Sequence, residues 1–88
     1  SDGNAADMPS TTLTSEDFTD GEIDILTLLV KAQLVPSKSE ARRAVEQGGV
    51  LVDGEKINDI RKTYTLVDFS EEGMILKKGK KSFRKILL

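Results

Sequence analysis

The 88-residue chain has no cysteine, no histidine and no tryptophan. Without cysteine there is no disulfide and no thiol nucleophile, and without histidine no imidazole acid or base. Together the two absences remove every Cys/His zinc site. Lack of cysteine is compatible with a reducing compartment. Aromatic residues are few, one tyrosine and three phenylalanines. No apolar run approaches the ~18–20 residues of a membrane span. The first thirty residues hold no Lys or Arg and no apolar stretch ahead of a cleavage site, so they do not read as a signal peptide. A start at Ser1 suits a piece of a larger protein. What is present, 38% apolar and 32% charged residues, suffices for one small domain.

Positive charge is missing from one stretch and concentrated in the other. Residues 1–30 carry seven acids and no base, a net −7. Residues 31–88 carry all thirteen Lys and Arg against eight acids, a net +5. The overall net charge of −2 hides this segregation, which is a sign of nucleic-acid binding.

Residues 1–20, small, polar and acidic, read as an acidic flexible linker in which only Met8, Leu13 and Phe18 could bury much surface. Leu13 and Phe18 are the side chains that could dock on the domain, residues 21–88. A first helix is expected from Asp20 to Gln33, with Asp20 as N-cap, Glu22 and Asp24 in the first turn, and an apolar stripe of Ile25, Leu28, Leu29 and Ala32 ended by Pro36. A second helix is framed by Ser37-Lys38-Ser39-Glu40, which has the form of a capping box, and by Gly48 as C′ glycine. Its Ala41, Ala44 and Val45 share one arc, and Lys38, Arg42 and Arg43 lie on the remainder. The short connection makes the two an αα-hairpin. Period-two strands then follow: Val50–Val52, an Asp53-Gly54 turn, Glu55–Ile57, Thr63–Phe69, Met74–Lys78 and Ser82–Leu88. The expected fold class is α+β, a helix–turn–helix packed on a small, mostly antiparallel sheet of short strands.

Three basic groups stand out: Lys38, Arg42 and Arg43; Lys56, Arg61 and Lys62; and Lys77, Lys78, Lys80, Lys81, Arg84 and Lys85. Such groups on adjacent rigid elements can neutralise several phosphates together. Two other readings compete. The helix bases could be a solvated face with an Arg42–Glu46 ion pair, and the terminal lysines could protect an edge strand. Tyr64, Phe69 and Phe83 could stack on bases, although such residues more often fill a small core. Enzyme chemistry finds no support: the carboxylates lie in linker and turns, and Ser37 and Ser39 have no histidine to activate them.

The run VPSKSEARRAVEQGGVLVDGEKI resembles the S-four-type RNA-binding domain family, through Ser37, Ala41-Arg42, Gly48-Gly49 and Val50-Leu51-Val52-Asp53-Gly54. Asp53 stands where that family often has Asn. The intact Ser37–Arg43 run and the ending LKKGKKSFRKILL are similar to the bacterial-type tyrosyl-tRNA synthetase branch. The resemblance implies an S-four-like (alpha-L) fold and an appended domain that holds the anticodon stem and variable arm of tyrosine tRNA. Its RNA-binding residues would be Lys38, Arg42, Arg43, Lys56, Lys77, Lys78, Lys80, Lys81 and Arg84. It implies no catalytic residue, no metal and no cofactor in this stretch. ATP would belong to an upstream catalytic domain of the same chain, in a cytoplasmic, homodimeric parent enzyme away from membranes. Alternatives are an RNA-binding module of a pseudouridine synthase or ribosome-associated protein, and a protein–protein interaction domain. A further alternative has the acidic linker fold over the basic face.

Overall fold

Asp24 and Ser37 decide where the two helices begin. The computed structural model describes residues 8–88. Helix α1 spans Ile25–Lys31, and the Asp24 carboxylate caps it by accepting from the Thr27 amide (3.0 Å) and the Thr27 hydroxyl (2.6 Å). The start expected at Asp20 is therefore corrected. Asp20 and Gly21 have φ of 53° and 80°, in a turn closed by paired backbone bonds between Thr19 and Glu22 (2.7 and 3.0 Å). Ile23–Asp24 (β2) pairs antiparallel with Thr63–Tyr64 (β5), which removes those residues from the helix. The helix also ends before Pro36. Gln33, at φ 61°, closes a Schellman motif, with its amide on the Val30 carbonyl (2.9 Å) and the Leu34 amide on the Leu29 carbonyl (3.2 Å).

Helix α2 spans Lys38–Glu46, and Ser37 Oγ accepts from the Glu40 amide (3.3 Å). The reciprocal half of the expected capping box is replaced, since the Glu40 carboxylate accepts from Arg43 (3.1 Å). Gly48, at φ 75°, is the C′ residue as expected: the Gly48 amide reaches the Val45 carbonyl and the Gly49 amide the Ala44 carbonyl, both at 3.0 Å.

After the glycines come β3 (Val50–Val52) and β4 (Glu55–Lys56), then β6 (Met74–Lys78) and β7 (Ser82–Leu87). The Asp53-Gly54 turn has φ of 49° and 86°, the left-handed pair of a type I′ hairpin. With β1 (Ser10–Thr12) the main sheet has the order β1-β7-β6-β3-β4, antiparallel except for the β1–β7 pair. Its register puts Val50, Val52, Met74, Leu76 and Ile86 on one face, all buried, in one core with Leu28, Leu29, Ala41 and Val45. Burying a side chain of this size contributes ~1.5–3 kcal/mol. The α+β class and the helix pair agree with the sequence. Among the described residues no helix is long and apolar enough to cross a membrane.

Two expectations change. Residues 9–20 do not behave as a linker. β1 joins the free edge of β7, the Leu13 amide donates to the Leu87 carbonyl (2.8 Å), and the Leu13 side chain is buried. Asp17 pairs with Lys31 of α1 at 2.9 Å. Edge pairing needs backbone groups rather than apolar composition, so this polar stretch takes a place in the sheet. Residues 1–7 of the expected linker lie outside the described residues. The strand expected over Thr63–Phe69 stops at Tyr64, because the Thr65 amide donates to the Asp68 carboxylate (2.8 Å) across a 3-10 turn at Leu66–Asp68. The same Thr-x-x-Asp-Phe formula recurs at Thr14–Phe18, where the Thr14 amide donates to Asp17 (2.8 Å). The two phenylalanines that follow, Phe18 and Phe69, meet edge to face at 6.1 Å.

Candidate nucleic-acid interface

The candidate interface begins with one backbone bond. The β6–β7 hairpin turns at Gly79 (φ 70°), and the Gly79 amide donates to the Gly49 carbonyl at 2.8 Å. Lys78, Lys80 and Lys81 are thereby fixed beside the C-terminal end of α2. Lys56 comes to the same place from β4: a Cβ on Gly48 would lie 3.3 Å from its ammonium. The negative end of the helix dipole favours a cation there. Lys77 is opposite Leu51, and Leu51 is opposite Lys56, so Lys77 belongs to the same end of the sheet. Among the described residues no carboxylate is within 4.0 Å of these five lysines.

On α2 the bases are all exposed. Arg42 pairs with Glu46 (3.5 Å) and Arg43 with Glu40 (3.1 Å). The ion pair expected of a solvated face is thus present. Exposed pairs within a helix contribute only ~0.3–0.5 kcal/mol, little enough for a phosphate to displace. Lys38, in the first turn, stands about 12 Å along the helix axis from Glu46 at the other end of α2. Its charge also bears on Asp24. Partial burial pushes that carboxyl up, but the Thr27 hydroxyl and amide, with Lys38, outweigh burial and hold it below the usual carboxylate range.

The register divides the terminal bases. Lys77 and Lys85 flank Phe83 on the face turned away from the core, whereas Arg84 lies opposite Leu76 on the core side. There the Arg84 side chain donates weakly to the Ser10 carbonyl (3.4 Å), and its buried Nε has no hydrogen-bond partner among the described residues. By the same alternation Lys78, opposite Val50 and Ser82, is on the Arg84 side of the sheet but at the Gly79 tip, whereas Arg84 is set back from the lysine cluster. Lys85, in the same basic group but outside the nine, joins Lys77 on the outer face. The alternation along β7 is the signal that separates these two. Tyr64 and Phe69 are buried and unavailable for stacking, and Phe83 is only partly buried.

The opposite end of the hairpin has the other chemistry. Glu71 and Glu72 precede Gly73, and a hollow of about 350 Å³ is lined by Leu13, Phe18, Gly21, Leu66 and Leu88 among others. Among the described residues no His, Cys, Asp or Glu cluster could hold a metal ion.

Comparison with known proteins bears on this arrangement. Residues 2–86 match the family model described as the tyrosine--tRNA ligase SYY-like C-terminal domain. The chain is 45% identical over 65 residues to the tyrosine--tRNA ligase of Clostridium perfringens (strain SM101), covering 74% of this chain and 16% of that protein. With that of Lachnoclostridium phytofermentans it shares 44% over 77 residues, 86% of this chain and 18% of the relative. With that of Clostridium botulinum (strain 657) it shares 39% over 89 residues, 98% of this chain and 21% of the relative. The chain therefore spans about a fifth of the length of these curated relatives, or less.

Proposed function

The chain belongs to the tyrosine--tRNA ligase C-terminal domain family, and from that premise we propose that it docks tyrosine tRNA for an upstream catalytic domain that performs the ATP-dependent aminoacylation. Lys56, Lys77, Lys78, Lys80 and Lys81 at the end of the sheet, continued by Lys38, Arg42 and Arg43 along α2, contact phosphates of the anticodon stem and variable arm. Recognition is of shape and backbone more than of base edges. The α1–α2 pair followed by the Val-x-Val-Asp-Gly hairpin supports reading this α+β fold as S-four-like.

The observation that carries the reading is the Gly79–Gly49 hydrogen bond, which joins two basic stretches some thirty residues apart in sequence into one end of the molecule. The competing idea, an acidic segment folded over the bases, finds no support in the described residues. Asp17, the one acid of residues 8–30 in an ion pair there, is held by Lys31.

The test is filter binding of a tyrosine tRNA transcript across a salt series. The expected result is a linear fall of log affinity with log salt, with a slope near −0.9 for each phosphate contacted. Affinity independent of salt, or an unaltered slope in the Arg42→Ala/Arg43→Ala variant, would overturn the proposed surface.

A further inference from the structure

The core takes three of the four aromatic side chains. Tyr64 and Phe69 are buried, and Phe18 packs edge-on against Phe69. Phe83 is the exception. Cross-strand pairing aligns Phe83 with Lys77 and Ile75 with Lys85, while Leu76, Met74 and Ile86 face the core. Pairing of Leu51 with Lys77 and with Lys56 extends the outer face across β3 and β4. That face therefore carries Lys56, Lys77 and Lys85 around partly exposed Leu51, Ile75 and Phe83. Among the described residues no strand residue on it is acidic. The Lys77 ammonium stands 5.2 Å from the Phe83 ring centroid.

We propose that this outer sheet face, centred on Phe83 between Lys77 and Lys85, is a stacking subsite for an unpaired nucleotide of the docked RNA. An aromatic ring presents a π surface that any base can cover, and flanking ammonium groups suit the phosphates on either side of such a base. The Lys77–Phe83 contact orients the ring in the free protein. A base that takes its place leaves the ammonium to a phosphate. Ile75, diagonal to Phe83 across the β6–β7 pair, and Leu51, beyond Lys77 on β3, add an apolar shelf to this face, which a uniformly hydrated phosphate-binding surface would not need. Charge complementarity selects RNA as the occupant, since Lys56, Lys77 and Lys85 border the shelf and outnumber Asp53, whose carboxylate accepts from the Ile75 amide (2.9 Å) at its edge. The subsite rests on the RNA-docking reading above but adds to it a preference for single-stranded over paired RNA.

The chain has no tryptophan, so Phe83→Trp introduces a sole reporter at the site. In the 88-residue chain its emission is expected to fall by more than half on saturation with the tyrosine tRNA transcript or a short single-stranded RNA. A blunt RNA duplex should bind through charge and leave the emission nearly constant. Phe83→Leu, which keeps the apolar shelf, is expected to weaken binding of the single-stranded RNA roughly 5- to 150-fold with the salt slope unchanged. RNA bound with constant emission, together with unaltered affinity in Phe83→Leu, would overturn the subsite and leave RNA docking intact. Absence of binding to any of these RNAs at low salt would overturn both.

Discussion

The two ends of the β6–β7 hairpin are built on opposite principles. At the Gly79 end, lysines gather around an open turn: a Cβ on Gly79 would meet nothing within 4 Å. A backbone bond to Gly49 ties this turn to the end of α2. At the Gly73 end the chain is tightly packed. A Cβ on Gly73 would come within 2.7 Å of the Ile86 carbonyl and 2.8 Å of the Leu87 side chain. Leu13 pairs with Leu87, and Asp53 holds Ile75 through both its backbone and its carboxylate. Like charges held together destabilise a compact state. Here they are kept at one tip, while close packing further along the same two strands offsets the cost.

The largest expected contrast is between two glycine substitutions. Gly73→Ala combines a positive φ of 94° with backbone overlap, and should cost about 3 kcal/mol or more. Gly79→Ala carries only the conformational penalty of φ 70°, about 1–2 kcal/mol. Urea midpoints of the two variants measure the difference, and equal losses would erase the distinction between the ends.

Charge deletion should divide the molecule in the reverse sense. Lys80→Ala/Lys81→Ala is expected to reduce the salt slope of tRNA binding by about 1.8 if each lysine meets one phosphate. Glu71→Gln/Glu72→Gln should leave slope and affinity within about twofold, since charges beyond a Debye length of ~8 Å are screened at physiological salt. Filter binding of both double variants decides it. A response to the glutamate changes as large as that to the lysines would place RNA on the wrong end.

Tyr64 reports the electrostatics of the acidic side. Burial foremost, then the charges of Asp68, Glu55 and Asp53, pushes its hydroxyl up from 10.0 to about 12. The folded state thus keeps a proton that the unfolded chain releases near pH 10. Its contribution to stability is complete below pH 10 and is lost as pH rises toward 12. Because the chain has one tyrosine, absorbance at 295 nm follows this group alone and should show a midpoint near 12. Tyr64→Phe also removes a buried hydroxyl that has no partner among the described residues. It should stabilise the fold by up to about 1 kcal/mol at pH 7 and flatten the alkaline loss.

These contrasts show which parts of the molecule were legible in the sequence. Helix α2 was, from Ser37 to Gly48, because its cap and its C′ glycine are local signals that tertiary structure left in place. The Asp53-Gly54 hairpin was legible for the same reason. The start of α1 was not: Asp20 and Asp24 are both good caps, and the choice was made by pairing of β2 with β5, a contact some forty residues away in sequence. β1 was hidden because an added edge strand depends on hydrogen bonds to β7, which composition does not register. The basic residues were visible as a list, but their division between Lys77 and Lys85 outside and Arg84 inside depends on register. Only the pairing with β6 fixes that.

The smallest expected effect is the most exacting check on the polarity of the hairpin. Asp53 has φ 49°, and its carboxylate accepts from the Ile75 amide at 2.9 Å while its own amide donates to the Ile75 carbonyl at 2.8 Å. Asparagine offers the same acceptor and tolerates the same left-handed backbone. Asp53→Asn should therefore shift stability by no more than about 0.5 kcal/mol. Asp53→Ala, which loses both advantages, should cost about 1–2 kcal/mol. The asparagine variant also removes one negative charge from the β3–β4 turn. In β3 the chain passes from Val50, opposite Lys78, to Val52, opposite Leu76, so Asp53 lies toward the Gly73 end of β6. Neutralising it should tighten tRNA binding by less than about twofold at physiological salt. A tenfold gain would mean that RNA reaches this turn, and the proposed RNA surface would have to extend past β4.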